Sequence, residues 1–252
     1  MCTTFIFVYF SCSICIYASR YELQAAGYKL FLMTWVIVGL GNPDEEHVRT
    51  RHNAGRMAVE YFAKQKKLGE WKEDPGTTAR KRAGYGAGKK SLAFVTRGAI
   101  GREMVVCVLP NTYMNKSGDA VAHFIKPARH SASGGGSVKA AEKLIVVYDD
   151  LDLPFGTIKI SFDRGSGGHK GIDSIMRAVK TRRFTRIRIG ISRVNGKGEV
   201  QKPQGEKDVE KFILGEFSSN EFSQLKDFFK KASEAIETII LESRERAMNV
   251  FN

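Results

Sequence analysis

The stretch Trp35 to Phe62, WVIVGLGNPDEEHVRTRHNAGRMAVEYF, constrains the fold more than any other part of the chain. Val36, Ile37 and Val38 are β-branched and uninterrupted, which suits a strand buried on both faces. Gly39, Gly41 and Pro43 then break it. The polar loop DEEHVRTRHN leads into AGRMAVEYFAKQKKLG, where Ala58, Tyr61 and Phe62 recur at helical spacing before Gly69 offers a stop. His52 and Asn53 are thereby predicted at a helix N-terminus. The partial positive charge there disfavours imidazolium and favours the neutral histidine that a general base must be. Asn42, at the carboxyl end of the strand, is the expected neighbour. Taken alone, the stretch is served equally well by a plainer reading, in which Asn42 shapes the turn, His52 lies on the surface and Asn53 caps the helix.

A chain of 252 residues with 42% hydrophobic content can bury one sizeable core, so a single α/β domain with a short extension is expected. Forty Lys plus Arg against 27 Asp plus Glu, a formal net charge of +13, favours a polyanionic partner such as nucleic acid or an anionic membrane, with solubility accounting for part of the excess. Three of the four cysteines, Cys2, Cys12 and Cys15, lie at the start, and Cys107 sits in an apolar run. This is no disulfide framework, and a reducing compartment fits it. Cys12 and Cys15 form a lone CxxC with no second pair, which argues against zinc. Phe5 to Ala18 is too short for a membrane span, and no positive charge precedes it as in a signal peptide. Met33 opens MTWVIVGLGNP just before the first core strand. Residues 1–32 are therefore expected to be an extension outside the native protein, with a cleaved targeting segment as the rival, and the domain is expected to span 33–252.

Further along, Lys72 to Lys90 reads as a basic connection. Leu92 to Val95 and Met104 to Leu109 read as a hairpin joined near Gly98 to Glu103. NTYMNKSG precedes a short amphipathic segment in which Val121, Phe124 and Ile125 face the core, and RHSASGGGSVKAA reads as a surface loop. The strand in KLIVVYDDLDLPFG is expected to deliver Asp149, Asp150 and Asp152 beyond its carboxyl end, where open α/β sheets place ligands. The spacing fits no EF-hand, so an aspartate holding a histidine is favoured over a metal site. TIKISFDR is a strand, and GSGGHKGIDSIMRAVK is a glycine-rich turn opening a helix with Ile172, Ile175, Met176 and Val179 as its core stripe. Its amides are candidates to bind an anion or a carbonyl oxygen. It is not a Walker loop, because Gly171 follows Lys170, and GLGNPD lacks the third glycine of a dinucleotide fingerprint. That removes a nucleotide-dependent dehydrogenase. RIRIGISRV is a strand with Arg186 and Arg188 on one face, NGKGEVQKPQGEKD a polar loop. A last helix starts at Ser218, with Glu221 completing a capping box and Phe222, Leu225, Phe229, Ile236 and Ile240 buried.

VGLGNP, TRHNAG, LPNTYMNKSG, YDDLDLPFG, GSGGHKG and RIRIGI, in this order and spacing, resemble bacterial-type peptidyl-tRNA hydrolase from Met33 to the C-terminal helix. The resemblance implies a single domain with a mixed, mostly parallel central sheet flanked by helices. It implies hydrolysis of the ester joining a peptide to tRNA, without metal or other cofactor, by a monomeric cytoplasmic enzyme that recycles tRNA from aborted translation. By the same resemblance His52 is the base that activates water and Asp149 the carboxylate that orients it. Asn42 reads the first peptide group of the substrate, and Asn115, beside Tyr113, binds substrate and supports the oxyanion.

The sequence departs from the family pattern in two places. His47 stands where many members have tyrosine, and Lys170 where many have asparagine, exchanging an amide that donates and accepts for a cation that only donates. Lys159, Arg164, Arg186 and Arg188 are the candidates for tRNA phosphates, with Lys81, Arg82, Lys89 and Lys90 a second basic group. The alternative function is a non-catalytic RNA-binding or RNA-processing protein on the same scaffold.

Overall fold

The computed structural model describes residues 34–75, 91–125 and 141–252. The N-terminal extension, the boundary at Met33, the basic group from Lys81 to Lys90 and most of the loop at 129–141 lie outside these residues. In chain order the elements are β1 (Trp35–Gly39), α1 (Ala54–Gln65), β2 (Lys72–Glu73), β3 (Ala93–Ile100), β4 (Glu103–Pro110), α2 (Ser117–Phe124), β5 (Leu144–Pro154) and β6 (Ile158–Phe162). They continue with α3 (Lys170–Val179), β7 (Thr185–Val194), β8 (Val200–Gln201), α4 (Glu206–Ile213), α5 (Ser219–Leu241) and α6 (Arg244–Phe251).

The sheet runs β2-β3-β4-β1-β5-β7-β6, with β8 paired to β7. Its centre is parallel: β1 lies between β4 and β5, and β5 pairs in turn with β7. The outer strands are antiparallel. The mixed sheet with a mostly parallel core that the family resemblance implies is what the chain forms. β1 shows why its apolar run is unbroken: Ile37 packs with Ala58, Phe62, Phe229 and Ile236 on one face. Val36 and Val38 pack with Val121, Ile172 and Ile175 on the other. Alternate side chains meet helices on opposite faces, so every position must be apolar.

The expected hairpin forms, with strands longer than the sequence indicated and a two-residue loop in which Gly101 takes φ +57°. A positive φ at the first central residue is what the primed hairpin turns require. The capping box of α5 is complete, with Glu221 N–H donating to Ser218 Oγ at 3.3 Å and Ser218 N–H donating to Glu221 at 2.7 Å. Phe222, expected in the buried stripe, is instead exposed beneath the Arg49 guanidinium, 4.3 Å from its ring centre. The polar segment at 195–208 was expected to be loop, yet it contains β8 and the start of α4. α4 buries no residue fully, so it writes no apolar stripe into the sequence. Asn252 at the end of α6 donates to Ile160 O and accepts from Ile160 N–H, which closes the exposed edge of β6.

Candidate active site

β1 ends at Gly39 opposite Val147, whereas β5 runs on to Pro154 beside β7. The chain leaving β1 therefore crosses the open end of the sheet next to an overhanging β5, the crevice where α/β sheets bind ligands. Asp149 to Asp152 do not lie beyond the strand, as expected from sequence, but within this overhang. A cavity of about 1120 Å³ occupies the crevice.

His52 sits on a single 3-10 turn, Arg51–Asn53, that runs directly into α1. Helix and strand approach closely because residue 55 is glycine: a Cβ there would lie 2.2 Å from Val147 O and 2.8 Å from Tyr148 Cα. With α1 seated on β5, His52 Nδ1 reaches both oxygens of buried Asp149, at 2.9 and 3.0 Å. Burial pushes the Asp149 carboxyl up, but the charge of His52 and hydrogen bonds from His169 and His52 outweigh it and hold the group well below the usual carboxylate range. An ionised acceptor makes His52 Nδ1 the donor, so in the neutral ring Nε2 carries the free lone pair.

The sequence reading missed His169. It is the N-cap of α3, and its Nδ1 accepts from the amides of Gly171 and Ile172 at 3.2 and 3.3 Å. That fixes Nε2 as the protonated nitrogen, and it donates to Asp149 Oδ1 at 3.2 Å. The helix-start amides predicted to hold an anion are thus taken by an imidazole. The available signal was a histidine directly after a Gly-Gly turn: Gly167 and Gly168 have φ of +63° and +81°, a conformation that aims the next residue at the helix start. Tyr148 packs edge-on against His169, ring centres 4.8 Å apart, and its phenol is pushed up to about 12, chiefly by burial.

Asn53 does not cap α1. Its side chain accepts from Asn42 N–H at 2.8 Å and donates to Asn42 O at 3.0 Å, clamping the backbone of Asn42. Asn42 Oδ1 then accepts from Met114 N–H at 3.0 Å. Because a backbone amide can only donate, the carbonyl end must face Met114, and Nδ2 is left without a protein partner among the described residues. Asn42 lines the cavity with His47, Tyr113 and Asn115 on one side. Tyr113 and Asn115 are exposed, and His47 stands 3.6 Å from Glu46 on the rim.

Lys159, Lys170, Arg164 and Arg188 line the other side. Arg188 donates to Asp150 at 2.6 Å, and Lys170 stands 3.6 Å from Glu206 with most of its side chain exposed. Asp152 pairs with Lys202. Of the three aspartates only Asp149 faces the histidines. Arg186, expected beside Arg188 on a phosphate-binding face, is 1% exposed and donates to the carbonyls of Arg164 and Gly165 at 2.5 and 2.6 Å. Alternation correctly assigns it to the face shared with Arg188. It cannot show that the glycine-rich turn covers that part of the face.

A family model described as Peptidyl-tRNA hydrolase matches residues 36–252. The chain belongs to this family. It is 37% identical over 217 residues to the peptidyl-tRNA hydrolase of Syntrophotalea carbinolica, a match spanning 86% of this chain and 96% of that protein. It is 34% identical to that of Aquifex aeolicus over 217 residues, spanning 86% and 95%. The crystal structure of peptidyl-tRNA hydrolase from Acinetobacter baumannii aligns with a TM-score of 0.68 at 29% identity, covering 88% of this chain and 95% of that one. A complex of peptidyl-tRNA hydrolase with N-propanol aligns with the same score at 31% identity, covering 87% and 95%. Among the described residues no helix is long and apolar enough to cross a membrane.

Proposed function

We propose that this chain hydrolyses peptidyl-tRNA with His52 as general base. His52 Nε2 takes a proton from water, the hydroxide adds to the ester carbonyl carbon, and the tetrahedral intermediate collapses with expulsion of the ribose oxygen, to which His52 returns the proton. Asp149 orients the ring and stabilises the imidazolium formed in between. Asn42 Nδ2 donates to the carbonyl of the first peptide group, and the Asn115 amide donates to the developing oxyanion. Lys159, Arg164 and Arg188 meet tRNA phosphates, with Tyr113 and His47 flanking the acyl group and Lys170 at the mouth. The same reading takes 33–252 as the catalytic domain and the enzyme as a cytoplasmic monomer that uses no metal. His169 Nδ1 accepts from the amides of Gly171 and Ile172, so its Nε2 carries a proton and has no lone pair to offer a metal, which supports a proton-transfer role for the group.

The observation that carries the proposal is the buried His52–Asp149 pair opening onto a cavity lined by Asn42 and Asn115. Its test is release of peptide from N-acyl-aminoacyl-tRNA. His52→Ala should lower turnover by about a hundredfold or more, the range for a lost general base, while tRNA binding stays near the parent value. Parent-level turnover in the variant would overturn the assignment of His52 as the base and return the plainer reading of that stretch, whereas a parent protein that binds tRNA but releases no peptide would return the non-catalytic RNA-binding reading.

A further inference from the structure

Arg51 precedes His52 in the same 3-10 turn but does not line the cavity. It is 5% exposed, and among the described residues its side-chain hydrogen bonds all go to segment 212–221, which runs from the end of α4 into the start of α5. Its backbone N–H donates to Gly215 O at 3.1 Å. Its guanidinium donates to Gly215 O at 3.3 Å, to Glu216 O at 2.8 Å and to Glu221 Oε2 at 2.8 Å. Phe212 and Phe217 present their ring faces at 4.6 and 5.4 Å. Glu221 Oε2 is also the oxygen that accepts from Ser218 N–H, so one carboxylate serves the guanidinium and the capping box of α5 together. The neighbouring backbone is tied in as well: Phe217 N–H donates to Arg49 O at 3.2 Å, and Thr50 bridges to Glu216.

We propose that Arg51 is a positioning residue for the reaction, fixing the turn that carries His52 through this part-buried knot with segment 212–221. The inference rests on His52 being the base. A single 3-10 turn has too few internal hydrogen bonds to hold a side chain to a few tenths of an ångström. Asp149 fixes the ring of His52 from one end only. The planar fork of Arg51, pinned at three acceptors and lying over two aromatic rings, fixes the backbone at the other end. No lysine could reproduce that geometry, since its ammonium is a point donor on a flexible stem.

The knot also touches the end of α4, which lines the cavity mouth through Val209, Ile213 and Leu214. This gives the proposal a competitor that kinetics can separate. If Arg51 sets His52, Arg51→Ala should lower kcat by at least about tenfold with KM within about twofold, because misplacement of a reacting group is felt in the chemical step. A rise in KM at unchanged kcat would mean that Arg51 serves α4 instead, and would overturn the proposal. Arg51→Lys should recover little, and added guanidinium should restore part of the kcat lost in Arg51→Ala. Glu221→Gln keeps an acceptor for the capping box but removes the charge that holds the fork, so it should lower kcat in the same direction, less steeply. If Arg51→Ala does not fold, the lysine and Glu221 variants carry the test, and parent kcat in both would overturn the proposal. A second readout is independent of turnover. The low-field proton resonance of His52 Nδ1–H, assigned by its loss in His52→Ala, should disappear in the Arg51 variant, and an unchanged resonance would overturn the proposal. Were His52→Ala itself fully active, the general-base reading would fall, while the resonance would still decide whether Arg51 positions His52.

Discussion

Asn42 is held so that only its donor faces the cavity, and that orientation carries a selectivity argument. Peptidyl-tRNA presents a carbonyl at its first peptide group, whereas aminoacyl-tRNA presents an ammonium. A donor fixed by Met114 and by the Asn53 clamp meets the first with a hydrogen bond and the second with another donor, leaving both unpaired. Asn42→Asp keeps the oxygen that accepts from Met114 N–H and replaces the facing donor by a carboxylate oxygen. The ratio of kcat/KM for N-acyl-aminoacyl-tRNA over aminoacyl-tRNA should fall by about tenfold or more, since each tenfold needs only about 1.4 kcal/mol of differential interaction. An unchanged ratio would show that discrimination is made elsewhere. The sequence made Asn42 and His52 legible because each lies beside a break in a strongly patterned stretch. It did not reveal what Asn53 does. A short polar residue before a helix reads as a cap in any chain, and only the fold brings Asn42 within its reach.

At the level of elements, the distance between α1 and β5 decides whether His52 and Asp149 can meet at all. Gly55 sets that distance, for a methyl group there would overlap the carbonyl of Val147, which is backbone and cannot swing aside. Gly55→Ala should therefore lift the first turn of α1 off the sheet. A loss of about 1–3 kcal/mol in urea unfolding is expected from the overpacking. Turnover should drop further than the remaining folded fraction accounts for, because His52 retreats from Asp149 with the helix. An alanine variant of parent stability and parent kcat would show that the packing has slack. Elements with a strong period were readable: β1 from its unbroken apolar run, α3 from Ile172, Ile175 and Val179, and α5 from its capping box. Others were hidden for physical reasons. α4 has no fully buried face, so its sequence looks like loop. His169 caps a helix through a ring nitrogen instead of a short oxygen-bearing side chain, so the usual cap residues give no hint of it.

For the molecule as a whole, the net charge of +13 announces a polyanionic partner but not which cations remain available to it. The fold sorts them. Arg186 is spent on the carbonyls of the glycine-rich turn. Arg188 is held by Asp150 and lies opposite Lys159 in the β6–β7 register, while Lys159 is exposed and makes no ion pair among the described residues. Composition and strand alternation treat these three residues alike, and only the side chains packed around them tell them apart. Binding of tRNA should weaken steeply with salt, because each neutralised phosphate releases roughly 0.7 to 0.9 of a counterion. Lys159→Ala should flatten the plot of log affinity against log salt by about that amount, as expected for one lost phosphate contact. Arg188→Ala should flatten it less, since Asp150 already offsets the arginine's charge. Asp150→Asn should act in the opposite sense: with its charge partner gone, Arg188 meets the phosphate with its charge no longer offset, and binding should tighten at low salt while the slope steepens. Slopes measured for the parent and these three variants by nitrocellulose filter binding decide the matter. If Lys159→Ala and Asp150→Asn both left the slope unchanged, the β6–β7 face would be removed from the tRNA surface, and the positive charge that meets the phosphates would have to lie on another part of the chain.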